Sequence, residues 1–211
     1  MKNKKIIYCL FLLSMLPLLS ISQDSLKWLC IPGVQVGQIK ANTSEQDLIE
    51  IYGKANVVRD SFLEGEGEYV NETILFPNTK NELQIIWKDA ENLKSPYVIT
   101  YRKPNADWKT DNNICIGTTL KELERINGKE FIILGFGWDY GGTIIDWNGG
   151  KIAKTNKLAS ELDLIARLSY SDKVKLNDSE LEEISGDKEI KTSNKILQKM
   201  NPKIYEIIIV F

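Results

Sequence analysis

The sequence predicts an α+β fold: two tandem units, each a short helix followed by a four-stranded antiparallel sheet, with a helical insertion in the second. Three observations predict it. Two helix-start segments repeat at an offset of 75 residues. Each is followed by four runs of β-forming residues separated by turn residues. A polar stretch rich in lysine and glutamate, about 171–202, interrupts the second set.

The chain opens with Lys2, Lys4 and Lys5, then an apolar run from Ile6 to Leu19. Ser20 and Ser22 place small residues at the −3 and −1 positions of a cut before Gln23, the layout of a secretory signal peptide over 1–22. The apolar run is shorter than the ~20 residues that span a bilayer, and Pro17 interrupts it. Cys9 lies inside the apolar run and not at its end, which argues against a lipoprotein cleavage site there. The expected location is therefore secreted or periplasmic, in a bacterium, with no membrane span after cleavage. The two units then occupy 23–108 and 109–211.

The first unit begins with Ile39–Gly53 and the second with Ile114–Gly128, which align without a gap. Ser44 and Thr119 are hydroxyl N-caps. Three residues on, Glu122 completes a capping box and Asp47 offers a shorter version of it. Leu48 and Ile51, like Leu123 and Ile126, fall on one helical face. Gly53 and Gly128 supply a left-handed C-terminal residue. Strands are expected over 56–62, 72–76, 83–87 and 97–102 in the first unit. In the second they are expected over 131–136, 143–147, 162–170 and 204–211. Two such units, stacked, share a core. Within the insertion, Ser179–Ile184 and Ser193–Met200 read as short helices, with acids early in the first and lysines late in the second; the other reading is a mobile loop. The apolar end, Ile207 to Phe211, reads as a buried central strand.

These residues carry a resemblance. The pattern Ile116-Gly-Thr-Thr-Leu-Lys-Glu-Leu-Glu-Arg-Ile-Asn-Gly128, then Phe131 and Gly135-Phe-Gly-Trp-Asp-Tyr-Gly-Gly142, is similar to the beta-lactamase inhibitory protein family and the wider set of BLIP-like secreted bacterial proteins. The likeness covers most of Val34 to Trp147. It implies the tandem helix-and-sheet fold, which hosts inhibitors and envelope-assembly lipoproteins alike and so does not fix a function. One cysteine per unit departs from the intra-unit disulfides of the inhibitory protein.

Composition excludes several chemistries. Histidine is absent, which removes histidine-based triads and histidine metal sites. No CxxC pair exists to hold zinc. The mature chain carries 24 basic against 29 acidic residues, a net charge of −5, interspersed; this argues against nucleic acid and anionic lipid as partners. Cys30 and Cys115 remain after cleavage. Their even count permits a disulfide in an oxidising compartment, and the other reading is two buried thiols.

The glycine-rich run 133–150 holds the remaining candidates. Gly135, Gly137 and Gly141 spell GxGxxxG, but a strand follows where a dinucleotide site needs a helix. Asp139 and Asp146 flank this hairpin, and Glu64, Glu66 and Glu68 lie in the first unit's equivalent connection. They offer paired-acid hydrolysis or a calcium site only in a geometry that spacing does not define. Cys115 precedes a helix start but has no base partner. Trp138, Asp139, Tyr140 and Trp147 are the candidate partner-binding residues, since Trp and Tyr dominate interface hot spots. Strict alternation turns Trp138 inward with Phe136 and Ile144, and leaves Asp139 and Tyr140 facing solvent. The expected function is a non-enzymatic binding module for a protein or envelope component, with no cofactor, no metal and no catalytic residue assigned. The alternatives are a hydrolase using loop carboxylates and a structural envelope protein.

Overall fold

The computed structural model describes residues 27–63, 67, 69–154, 163–171 and 173–211. The expected signal peptide and the acids Glu64, Glu66 and Glu68 lie outside the described residues.

Both capping boxes form. In α1 (Glu45–Tyr52) the Ser44 hydroxyl accepts from the Asp47 N–H at 3.2 Å, and the Asp47 carboxylate accepts from the Ser44 N–H at 2.8 Å. In α2 (Leu120–Asn127) Thr119 and Glu122 make the same reciprocal pair at 3.2 and 2.8 Å. Gly128 ends α2 in the left-handed region, as expected. Gly53 differs: its φ of 87° comes with an extended ψ of 143°, which carries the chain into a 3-10 turn over Lys54–Asn56. Ile51, expected on the apolar face of α1, is 39% exposed; Leu48 is buried, and Ile49 and Tyr52 pack against the core in its place.

Strands β4 (Val57–Leu63), β5 (Tyr69–Leu75), β6 (Leu83–Asp89) and β7 (Lys94–Tyr101) follow α1 as an antiparallel meander. After α2 come β9 (Ile132–Leu134), β10 (Ile144–Asp146), α3 (Lys151–Lys154), β11 (Leu164–Ser169) and β13 (Lys203–Val210). The insertion supplies α4 (Asp178–Ile184), β12 (Glu189–Lys191) and α5 (Lys195–Met200). Its helices are capped by Asn177 and Asn194 and cross-linked by Lys199 and Glu180 at 2.8 Å. Short strands β1 (Leu29–Ile31), β2 (Gln35–Val36), β3 (Ile39–Lys40) and β8 (Lys109–Thr110) complete a mixed α/β, mostly β architecture of five helices and three sheets among the described residues.

The sheets do not stack as two separate meanders. β13 pairs with β7, so one six-stranded sheet runs β11-β13-β7-β6-β5-β4. β10, β9 and β12 form a second sheet, tied to β11 by the Thr143↔Arg167 bridge and the Leu168 N–H to Gly142 carbonyl bond of 2.9 Å. β1 pairs with β2 and, in parallel, with β8. The apolar C-terminal strand is held on both sides, which matches its continuous burial need.

The six-stranded sheet has two unlike faces, as period-2 alternation requires. One row runs Thr73, Ile85, Ile99, Ile209 and Leu164 across paired strands, all buried. Helix α1 lies on this face. Its Glu45, only 4% exposed, accepts from Thr73 Oγ1 at 3.1 Å and from Arg59 Nε at 2.7 Å. The Trp87 indole N–H donates to the same Thr73 hydroxyl at 3.0 Å. A buried carboxylate is tolerable because every partner is supplied. The opposite face carries the row Val58, Ile74, Gln84, Thr100, Ile208 and Ile165, most of it half-buried or exposed.

Candidate functional site

The open face meets the glycine-rich run at β11. Leu134 and Thr143 start and close the turn between β9 and β10: the Leu134 N–H donates to Thr143 O at 2.9 Å and Gly142 N–H to Leu134 O at 3.0 Å. Inside it, Gly141 N–H donates to Trp138 O at 2.9 Å and the Trp138 indole N–H to Gly135 O at 2.9 Å. The amides of Gly135 and Phe136 are taken by Lys188 and Ile184 carbonyls of the insertion. The amides of Gly135, Phe136, Gly141 and Gly142 are thus spent within the protein on the turn and its junction with the insertion. The glycines serve the turn. Gly142 has φ +74°, and a Cβ there would lie 2.1 Å from Leu168 O.

This turn displays Trp138 and Tyr140 together, their rings 5.3 Å apart in a T-shaped contact. Tyr140 is 55% exposed and Trp138 37% exposed, and Asp139 is exposed between them. Alternation is a poor guide to Trp138, because the chain leaves the strand at Gly135 and its φ of 86° at Gly137 resets the side-chain direction. Trp147 is a correction: it is 3% exposed, 5.1 Å from the Phe131 ring, and its carbonyl accepts from the buried Asn127 amide. An irregularity between Ile144 and Asp146 turns it into the core and away from the surface group.

Beside Tyr140 stands a row of charges that sequence reading missed. The Arg167 guanidinium lies over the Tyr140 ring, 5.7 Å from its centre. Arg167 is paired across β11–β13 with Glu206. The Glu206 side chain is 3% exposed; its Oε1 accepts from Arg102 Nε at 2.5 Å, and its Oε2 lies 3.0 Å from Arg167 Nη1. That second contact is an ion pair off the hydrogen-bonding direction, so Glu206 Oε2 and Arg167 Nε have no hydrogen-bond partner among the described residues, nor does the adjacent Thr143 hydroxyl. Arg102 also holds the Gln84 side-chain oxygen. A signal was present: Glu206 sits within Ile204-Tyr-Glu-Ile-Ile-Ile-Val210, a charge inside an otherwise apolar central strand.

The remaining candidates separate. Cys30 and Cys115 are free thiols and no disulfide joins them. Cys30 is buried on β1, and burial pushes its pKa up to about 12, with the Tyr101 hydroxyl acting in the opposite direction. Cys115 is half-buried before α2, its sulfur 3.6 Å from the Thr118 hydroxyl. Asp146 caps its own turn by accepting from the Asn148 N–H at 2.5 Å, whereas Asp139 stands at the turn tip. Among the described residues no three carboxylates or thiols gather as a metal site, and no helix is long and apolar enough to cross a membrane. Glu72 on the open face is 6% exposed, and its carboxyl is raised above the usual range by burial first and by nearby Asp60 second. Comparison with protein-family models, curated proteins and solved structures found no match.

Proposed function

We propose that the chain is a secreted or periplasmic, non-enzymatic binding module of BLIP-like architecture. In this reading two tandem units are related by a local two-fold axis, and the open sheet face with the Trp138–Asp139–Tyr140 turn meets a protein or envelope partner.

Matched bonds support the tandem units. The Lys40 N–H donates to Thr43 Oγ1 at 2.9 Å, and the Cys115 N–H to Thr118 Oγ1 at 3.0 Å, 75 residues on. Glu45 N–H reaches Leu93 O, and Leu120 N–H reaches Pro202 O. Ser95 N–H reaches Thr43 O, and Ile204 N–H reaches Thr118 O. Strands β7 and β13 each carry one bulged tyrosine, Tyr97 and Tyr205. Beyond the bulges Val98 corresponds to Glu206, Thr100 to Ile208 and Arg102 to Val210. Thr100 then pairs with its own counterpart Ile208, and Val98 with Val210, as a two-fold axis normal to the sheet requires.

The observation that carries the binding reading is the open face itself. Half-buried aliphatics cross five of its strands, ending at an exposed Trp–Tyr pair backed by arginine. Contiguous apolar surface of this kind, rimmed by polar groups, marks interaction sites, and Trp, Tyr and Arg dominate their energetics. The test compares the mature chain with its Asp139→Ala/Tyr140→Ala variant as bait for an envelope extract of the source cell. A partner retained by the first and lost by the second is expected. A partner held equally by both removes this turn from the binding surface. The mass of the exported protein, expected to begin at Gln23, tests the location.

A further inference from the structure

We propose that the Arg102–Glu206–Arg167 row is a carboxylate receptor, and that the partner presents to it an Asp or Glu side chain flanked by an apolar residue. This rests on the open face being the binding surface and specifies what it recognises.

The two-fold relation supplies the argument. The row Arg167–Glu206–Arg102 corresponds to Ile86–Val98–Val210 on the other side of the axis. The same sheet position is therefore built once from three aliphatics and once from three charges. The scaffold does not need the charges, because its own second copy does without them. An ion-pair row around one buried carboxylate is weak as a source of stability, and aliphatic replacement of a complete row is often neutral or stabilising. A function other than holding the sheet together is left for it.

Its electrostatics fit an incoming anion. Two guanidiniums share the Glu206 carboxylate, so the row itself carries one positive charge, which on the β7 side also faces the buried Glu72 carboxyl and on the β11 side faces none of the named acids. Arg167 makes one off-axis ion pair and its Nε has no hydrogen-bond partner among the described residues, while Arg102 spends Nε on Glu206 and Nη1 on Gln84, which leaves its Nη2 outside those two bonds. Arg102 is half-exposed, so its free edge is reachable. The Tyr140 ring lies beneath the Arg167 guanidinium, 5.7 Å from its centre, on the side away from the Ile208–Ile165 row. Ile208 and Ile165 on one side, and the Trp138–Tyr140 pair on the other, provide the apolar flanks. The surroundings are a sheet surface and not an enclosed cavity, so a protein surface fits better than a small anion. The net negative charge disfavours polyphosphate chains.

A random dodecamer peptide library displayed on phage, selected on the immobilised mature chain, tests this. Retained sequences are expected to share an Asp or Glu next to an apolar residue. Arg167→Gln, which leaves the Arg102–Glu206 pair intact, is expected to weaken them roughly 10- to 100-fold, and Arg167→Lys to weaken them less. The triple variant Arg102→Val/Glu206→Val/Arg167→Ile, which copies the other half, is expected to lose them while melting no lower than the parent. Peptides without acidic preference, or insensitive to Arg167→Gln, overturn the inference. A triple variant that fails to fold overturns it too, because the charges are then structural. If acid-free peptides are still displaced by Ile208→Asp or Tyr140→Ala, the binding-face reading stands while the carboxylate receptor falls. Retention of no peptide, or of peptides indifferent to every one of these changes, sinks both.

Discussion

Gly142→Ala tests how the aromatic turn is built. Gly142 has φ +74°, and an added Cβ would lie 2.1 Å from Leu168 O and 2.9 Å from the Phe136 ring. The first obstacle is backbone, so the link between β10 and β11 must shift. That link consists of the Gly142 O bond to Leu168 N–H, beside the Gly142 N–H bond to Leu134 O. Gly137→Ala is the control: φ is +86° there, but nothing lies within 4 Å of an added Cβ. Both variants incur the left-handed cost of about 1–2 kcal/mol. Gly142→Ala adds the weakening of two hydrogen bonds at about 1 kcal/mol each, about 2 kcal/mol more than the control. For a chain of this size that is roughly 4–8 °C of extra loss in Tm. Thermal unfolding of the mature chain followed by circular dichroism measures it. Equal Tm for the two variants would refute the close approach at Leu168 and with it the described junction.

Four further outcomes follow from buried or paired groups. In the native protein, Cys115 is expected to react with a thiol reagent and Cys30 only after unfolding, while mass spectrometry without reductant finds two free thiols. Because burial raises the Cys30 thiol to about 12, the folded state holds its proton longer than the unfolded chain. That contribution is complete below the unfolded value and is lost as pH rises from about 9 to about 12, at up to ~1.4 kcal/mol per pH unit; a flat alkaline stability curve would contradict it. Glu72 is also raised in the fold, by burial and then Asp60, so its ionisation destabilises. Glu72→Gln should raise Tm near neutral pH and lose that advantage below the carboxylate range, as equilibrium melts at two pH values would reveal. Thr119→Ala removes a capping box and should cost about 1 kcal/mol in urea unfolding. In an NMR titration it should also let Glu122, held below the usual range chiefly by the Thr119 N–H and hydroxyl, titrate higher.

Local chemistry made much of the fold legible. The Ser44 and Thr119 boxes announce helices because each orphan N–H needs an acceptor at a fixed spacing. The long strands announce themselves by alternation or continuous apolarity. Strands β1, β2, β3 and β8 are two or three residues long, below the length at which a period can be read, and they exist because β1 finds partners on both sides. β12 is hidden in a polar insertion and forms by pairing with β9. How the sheets join was not legible, since the β7–β13 pairing is a long-range choice between edges. The candidate site was half legible. Tyr140 and Asp139 are displayed where a turn would display them, while Trp147 was lost to the core by a strand irregularity. Arg102 just past the end of β7, Glu206 on β13 and Arg167 on β11 meet only through register, although the charge at Glu206 inside an isoleucine run was a visible anomaly.

Hydrogen–deuterium exchange on the mature chain, with and without a peptide or partner bound, tests the central claim most directly. The account predicts protection on binding along β7, β11 and β13 and across Gly137–Thr143, with α1, α2 and the α4–α5 insertion unchanged. Protection confined to those helices, with the open sheet face unaffected, would contradict it.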